Sequence, residues 1–477
     1  MATENLGKVK GADALINGAN SINMSVDENL SMQQIGNNFQ ISCPGLANKQ
    51  DVITGTPGQY IGFDEDGNAV AKNMGYELYG FELDDTETDP SKKITYIEQN
   101  ANYARASANL TTGAFDYGDW ENAFFIKDIK PVMLNYNGTI AYELNKNDYT
   151  KKTDGTASDV ANDAFGGNAM IGIPTVWIKV VNVSSTRHRV YVSNVKLDAG
   201  YKAYAHTVGD GVIKPYAYIA AYNGWVDGSS RLRSISGKNP TRSQTGEVQF
   251  NEAAANNVSG DDGWTMETYS SRNLINILLL LIGKSTDTQT TFGCGNTDGY
   301  TTHAAGSDEN GVLPTGTMNT RGLFYGVSTN NLGVKVFGIE NWWGNVWRRV
   351  VGLFNDNGVY KVKMTRSAYD GSAVNSYNLT GNGYITSLTP VIDTSGSWAY
   401  IAVMAFSDLG ILPQSSSGSS SSTHFCDGAI TAMDGTLKMA LLGGVCGDGV
   451  RCGAFACNLY ATVADSYWTV GASPQYL

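Results

Sequence analysis

The chain has 477 residues, a formal net charge of −12, 42% hydrophobic residues and only 16% charged ones. A negative surface repels a phosphate backbone, and no basic cluster offsets it, so nucleic-acid binding is excluded. Abundant glycine (55), tyrosine (26) and tryptophan (9) suit a loop-rich fold whose surface binds partners at low side-chain entropy cost.

The opening stretch has no apolar run of the secretory kind, and the longest apolar run, Ile277 to Ile282, is too short to cross a bilayer. The reading is a soluble product made in a cytoplasm, where disulfides are not the default for cysteines. Residues 1–75 read as an irregular leader with a hairpin. Thr56-Pro57-Gly58 and Asp66-Gly67 are turn signals, and Tyr60, Ile61 and Phe63 lie on a strand between them. Asp64-Glu65-Asp66 reads as a solvated turn rather than a calcium loop. Residues 76–124 read as a linker or bridging segment. Their polar stretch Phe81 to Lys93 contains the adjacent carboxylates Asp84 and Asp85, taken as exposed.

From 125 onward strands dominate. Lys130 to Leu144 forms a hairpin around Asn137-Gly138, and Pro174 to Leu197 forms a second antiparallel pair. Two helices follow, one within Gly246 to Asn257 and one over Ser270 to Lys284. The second has Ser270 or Ser271 as its cap and Gly283 as its stop, and it is apolar around most of its circumference, so it is buried. Glycine and short strands then return, interrupted by a serine-rich loop, Gln414 to Thr423. Strands with segregated helices make the fold class α+β.

No spacing supports a local metal or nucleotide site. His188, His206, His303 and His424 are far apart, and Gly293 to Gly299 lacks the helix and lysine of a phosphate cradle. The expectation is a protein with no cofactor, no bound metal and no enzymatic activity. The strongest motif is GIENWWGNVW, Gly338 to Trp347, with three tryptophans in six residues. It suggests a packed aromatic centre, with Glu340, Trp342, Trp343, Gly344, Asn345 and Trp347 as structural residues and Asn345 pinning a loop.

This motif resembles the signature of the formylglycine-generating-enzyme branch of the C-type lectin fold. That branch includes the variable proteins of diversity-generating retroelements, many of them phage receptor-binding proteins. Arg231 to Thr241, Asp262 to Asn296 and Leu441 to Leu459 are similar to blocks of such phage proteins, and Ile53 to Ala71 is similar to a tail-fibre module. The resemblance implies a C-type lectin-like receptor-binding domain over 125–477, with a variable-like region at about 424–477. It also implies a small β-rich leader over 1–75 that attaches to the virion and promotes a homotrimer. The partners would be a host-cell surface receptor, protein or glycan, and other phage tail proteins. No membrane insertion is implied, and the location would be the phage tail. Where the enzymes carry a calcium-binding glutamate, this chain has Arg348, which cannot ligate a cation.

The closing segment, GGVCGDGVRCGAFAC, admits three readings. It can be a cuprous thiolate pair as in the enzymes, a set of small core cysteines, or a diversified display surface. From Ala440 to Tyr467 every residue is one that adenine mutagenesis of an asparagine codon can produce, and no lysine follows Lys438. Under the display reading Gly443, Gly444, Gly453, Ala454, Phe455, Leu459 and Trp468 are scaffold, with Cys446 and Cys452 as core fillers. The ligand face comprises Val445, Asp448, Val450, Arg451, Ala456, Cys457, Tyr460, Val463, Asp465 and Tyr467, joined by Ala429, Ile430 and Thr431. The alternatives are a copper oxidase of the formylglycine-generating type and a bacterial surface adhesin of the same fold.

Overall fold

The computed structural model describes residues 75–209, 211–365 and 383–477, together with five strands between Ser31 and Asn73. Among those five, Gln59–Phe63 pairs antiparallel with Ala69–Asn73, which is the expected N-terminal hairpin. Its turn residues 56–58 and 64–67 lie outside the described residues. Beyond residue 75 strands far outnumber helices, so the coarse expectation of a strand-dominated fold with few helices holds.

Three sheets make the body. The first has four strands in the order Trp177–Asn182, Arg187–Ser193, Leu78–Asp84, Ile94–Glu98. Its outer pair is the predicted antiparallel unit of 174–197. The segment 76–124 is therefore not a linker: Leu78–Asp84 is an inner strand, and Tyr79, Phe81, Tyr96, Trp120, Phe124 and Phe125 pack into a buried aromatic cluster. The charges that suggested a linker are cross-strand partners. Glu82 meets Arg189 at 2.7 Å and Asp84 meets Arg187 at 3.2 Å. Nor is Asp85 exposed. It is buried, with His188 Nε2 2.9 Å from its carboxylate.

The second sheet runs Asp148–Lys152, Ile140–Asn145, Lys130–Asn135, Gly167–Pro174, Tyr216–Ala220, Pro474–Tyr476, Trp264–Met266. It contains the hairpin around Gly138, whose φ of +75° is the left-handed turn geometry that glycine permits. The chain's last strand lies inside this sheet. The third sheet has eight strands and includes Val359–Val362, Trp347–Asp356, Leu437–Leu442, Cys457–Leu459 and Gly428–Thr431 in that order, with Val470–Gly471 running parallel to the start of Trp347–Asp356.

The long helix, Tyr269–Gly283, is buried along its whole length, as its mostly apolar circumference predicts. Its cap is Thr268, two residues earlier than expected, whose hydroxyl accepts the Ser271 N–H. The left-handed residue at its end is Lys284 (φ +50°), not Gly283. Gly283 is needed for another reason, since a Cβ there would stand 2.6 Å from the Phe292 ring. Its buried asparagines are engaged. Asn276 donates to the Ala454 carbonyl and accepts from the Trp342 indole, and Asn273 accepts the Ile411 N–H. Tyr96 donates to the Ile282 carbonyl. The helix thus ties the first sheet, the tryptophan loop and the C-terminal segment together.

Candidate ligand-binding face

The tryptophan motif is a tight loop entering the strand Trp347–Asp356. Asn341, Gly344 and Asn345 all have positive φ, a conformation asparagine and glycine tolerate. Trp342 and Trp343 are fully buried. The Trp342 ring carries the Arg272 guanidinium 3.9 Å from its centre, and the Trp343 indole donates to the carbonyls of Gly293 and Cys294. Asn345 accepts from Asn296 Nδ2 and Leu313 N–H and donates to Asn223 Oδ1 and the Leu313 carbonyl. Glu340 accepts the backbone N–H groups of Gly316 and Met318. Arg348 is buried and donates to Glu267 at 2.8 Å and to the Glu340 carbonyl at 2.6 Å.

The C-terminal segment packs directly on this loop. Gly443 has φ +96°, and a Cβ on it would come within 2.9 Å of the Trp342 carbonyl. At Gly444 a Cβ would stand 2.4 Å from Cys452 Sγ, and at Gly453 one would collide with the Asp427 carboxylate. Asp427 is buried, accepts the Phe455 N–H at 2.7 Å, and burial holds its carboxyl well above the usual carboxylate range. No motif in the sequence marks this residue. Phe455 meets the Phe425 ring edge-on, and Leu459 and Ala454 are fully buried.

The expected ligand face divides in two. Ala429, Thr431, Val445, Ala456 and Cys457 are buried and cannot present a surface. Val445 and Ala456 lie outside the strands and pack in a buried cluster with Trp347, Leu441 and Cys446, whereas Ala429, Thr431 and Cys457 are buried by their place in the sheet. Gly428–Thr431 and Cys457–Leu459 are paired parallel to each other in its interior, and Cys457–Leu459 is flanked on its other side by Leu437–Leu442, with the molecule's core beneath. Thr431 spends its hydroxyl on the Ile392 carbonyl. Ile430, Asp448, Val463 and Asp465 are half-buried, whereas Val450, Arg451, Tyr460 and Tyr467 are exposed, at 58%, 45% and 51% for Val450, Tyr460 and Tyr467.

The exposed group stands on two loops clamped from beneath. In the first, a helical turn, Gly449–Arg451, lifts Val450 and Arg451, and Gln289 Nε2 donates to the Cys452 carbonyl at 2.7 Å. In the second, the buried Arg349 donates to the carbonyls of Thr462 and Asp465. Two residues far away in sequence complete the surface. Trp398 is half-buried, stacks on Trp347 at 6.0 Å, and carries the Arg451 guanidinium 5.5 Å from its ring centre. Tyr300 is 52% exposed and stacks on Trp468 at 5.3 Å. Gly447 links Tyr300 to the first loop, and Gly396 lies beside the Tyr460 ring. The contacting pairs Tyr300–Trp468 and Trp398–Arg451, with the exposed Tyr460 and Tyr467, make a broken ring of six side chains on this face. Apart from the richness of the chain in aromatics, nothing in the sequence joins Tyr300 and Trp398 to the segment after residue 440.

The cysteines lie under this ring. Cys446 and Cys452 are fully buried, and their thiols donate to the carbonyls of Asn310 and Val445. Burial pushes the Cys446 thiol up to about 12 and the Cys452 thiol well above its ordinary value. Both thiols are thus engaged with backbone carbonyls, as small buried core cysteines are. Among the described residues no cluster of three or more histidine, cysteine or acidic side chains is arranged to hold a metal ion. No protein-family model matches the chain, and no curated protein matches it.

Asp448 gives the face a pH response. Its carboxylate accepts the Val445 N–H, and burial pushes its pKa up to about 6 despite the neighbouring Arg451. A carboxyl raised on folding binds more protons in the native than in the unfolded state, so stability falls as pH rises from about 4 to about 6. We expect the unfolding free energy to be about 1–2 kcal/mol lower at pH 7 than at pH 4.5 through this group. Asp448→Asn should remove that part of the slope in urea titrations at the two pH values.

Proposed function

We propose that the chain is a phage tail receptor-binding protein that adheres to the host cell through its C-terminal face. The observation that carries this reading is the ring formed by the exposed Tyr300, Arg451, Tyr460 and Tyr467 with the half-buried Trp398 and Trp468, on loops that a buried sheet and clamping side chains hold in place. Tyrosine, tryptophan and arginine are the residues that concentrate binding energy at interfaces, and a rigid platform limits the entropy lost on binding. The resemblance carried by the tryptophan motif supports a C-type lectin-like fold for the body. The similarity of Ile53 to Ala71 to a tail-fibre module supports virion attachment and trimerisation through residues 1–75. Function here is adhesion without catalysis or cofactor: single contacts are weak, and several copies on one particle turn them into firm attachment. Among the described residues no helix is long and apolar enough to cross a membrane.

The test is adsorption of particles carrying Tyr460→Ala together with Tyr467→Ala. Both side chains are about half exposed, so the fold and incorporation into virions should be unchanged. Loss of two exposed aromatic anchors should lower adsorption about tenfold or more. Adsorption equal to the parent would exclude this face as the receptor site. Absence of the protein from purified virions would favour a bacterial surface adhesin instead.

A further inference from the structure

The face contains four cations, and three of them are already committed. Arg242 pairs with Asp308, Lys438 pairs with Asp434 at 2.7 Å, and Arg349 is buried against the carbonyls of the second loop. Arg451 differs. It is exposed, and among the described residues its guanidinium has no ion pair and no hydrogen-bond acceptor; it lies over the Trp398 ring and acts electrostatically on the half-buried Asp448. Trp398 is itself backed by Trp347. A guanidinium stacked on an aromatic face is held in orientation while its N–H donors, which lie in its own plane, remain free to form a fork with a carboxylate.

The surroundings of Arg451 decide what carries that carboxylate. Recognition of a sugar needs several free polar side chains aimed at neighbouring hydroxyls. Here several polar side chains accept hydrogen bonds from the protein's own backbone. Asn458 accepts from Tyr460 N–H and Ala461 N–H, Asp465 accepts from Thr462 N–H, and Asp448 accepts from Val445 N–H. The large exposed side chains of the face are apolar and aromatic: Val450, next to the arginine in sequence, and Tyr300, Tyr460 and Tyr467. That is the make-up of a contact with another protein, with aromatic anchors around one desolvated charge.

We infer that the ring takes a protein surface bearing an aspartate or glutamate, whose carboxylate Arg451 receives while Val450 and the tyrosines cover its apolar surroundings. The inference rests on the adhesion reading and specifies the partner of the same face.

The test uses the full-length protein and whole cells of the host strain as probe, either untreated, stripped of surface proteins with a protease, or oxidised with periodate. The expected result is binding to untreated and periodate-treated cells and loss of binding to protease-treated ones. Arg451→Glu should reduce binding to untreated cells about tenfold or more through charge reversal. Arg451→Lys keeps the charge without the fork and should cost only a few-fold. Both variants should keep the parent's thermal midpoint, because the side chain is exposed. Binding that survives protease and disappears after periodate would overturn the inference in favour of a glycan while leaving adhesion intact. An Arg451→Glu protein that binds like the parent would overturn the carboxylate. Failure of the parent to bind any cells would overturn adhesion itself, and this inference with it.

Discussion

Replacing Glu267 by Ala is expected to destabilise the protein by about 3–5 kcal/mol, enough to leave little or no folded chain. Glu267 is fully buried between two arginines. One carboxylate oxygen lies 2.8 Å from Arg348 Nη1, and the other lies 3.4 Å from Arg272 Nη1. Both guanidiniums are themselves buried and pack against the Trp342 ring. Removing the carboxylate leaves two uncompensated cations in the core, which costs far more than the packing of one side chain. Glu267→Gln keeps the shape but not the charge and should be nearly as damaging. Arg272→Met with Glu267→Gln should recover part of the loss, since fewer buried charges then remain unbalanced. Chemical denaturation of the three variants measures this directly. If Glu267→Ala unfolded within 1 kcal/mol of the parent, as a surface substitution does, the triad would not anchor the tryptophan loop.

That triad also shows where sequence reading stops. Arg348 was legible as a departure from a calcium-binding glutamate. Its partner Glu267 lies 81 residues away and could not be inferred from any spacing. The same divide runs through the fold. The hairpin around Gly138, the pair Trp177–Asn182 with Arg187–Ser193, and the long helix were readable because each is set by local periodicity and turn chemistry. The strand Leu78–Asp84 was missed because Glu82 and Asp84 resemble solvated linker charges until Arg189 and Arg187 are placed opposite them. In the ligand face, residue types were readable and orientation was not. Ala429, Ala456 and Cys457 are small, and small residues serve equally well on a loop surface or in the interior of a packed sheet. Only the pairing of Gly428–Thr431 with Cys457–Leu459 shows that Ala429 and Cys457 are interior, and only the packing against Trp347 and Leu441 shows it for Ala456. The loop residues Val450, Arg451, Tyr460 and Tyr467 came out exposed because no strand partner covers them.

The second large effect is expected at Asn345, where one side chain fixes the junction between the tryptophan loop and the glycine turn at Gly293 to Gly299. Its amide satisfies four partners: Asn296 Nδ2 at 2.8 Å, Leu313 N–H at 2.8 Å, Asn223 Oδ1 at 3.0 Å and the Leu313 carbonyl at 3.2 Å. It does so from a left-handed backbone conformation (φ +63°) that asparagine adopts more readily than other side-chain-bearing residues. Asn345→Ala would remove all four hydrogen bonds, leaving Asn296 Nδ2 only the Gly311 carbonyl, and add backbone strain, a loss of about 3–4 kcal/mol. Asn345→Asp separates the two contributions. It retains the acceptor for Asn296 and Leu313 N–H and tolerates the same backbone, but it turns a carboxylate towards Asn223 Oδ1 and the Leu313 carbonyl. Because an ionised group facing two acceptors is unfavourable, the aspartate should gain stability as pH falls and its carboxyl takes up a proton. Asn345→Ala has no such titration. Urea unfolding at pH 5 and pH 8 should therefore show a pH-dependent deficit for the aspartate variant and a constant one for the alanine variant. Equal pH dependence in the two would mean that the donor half of the amide contributes nothing to holding the loop beneath the binding face.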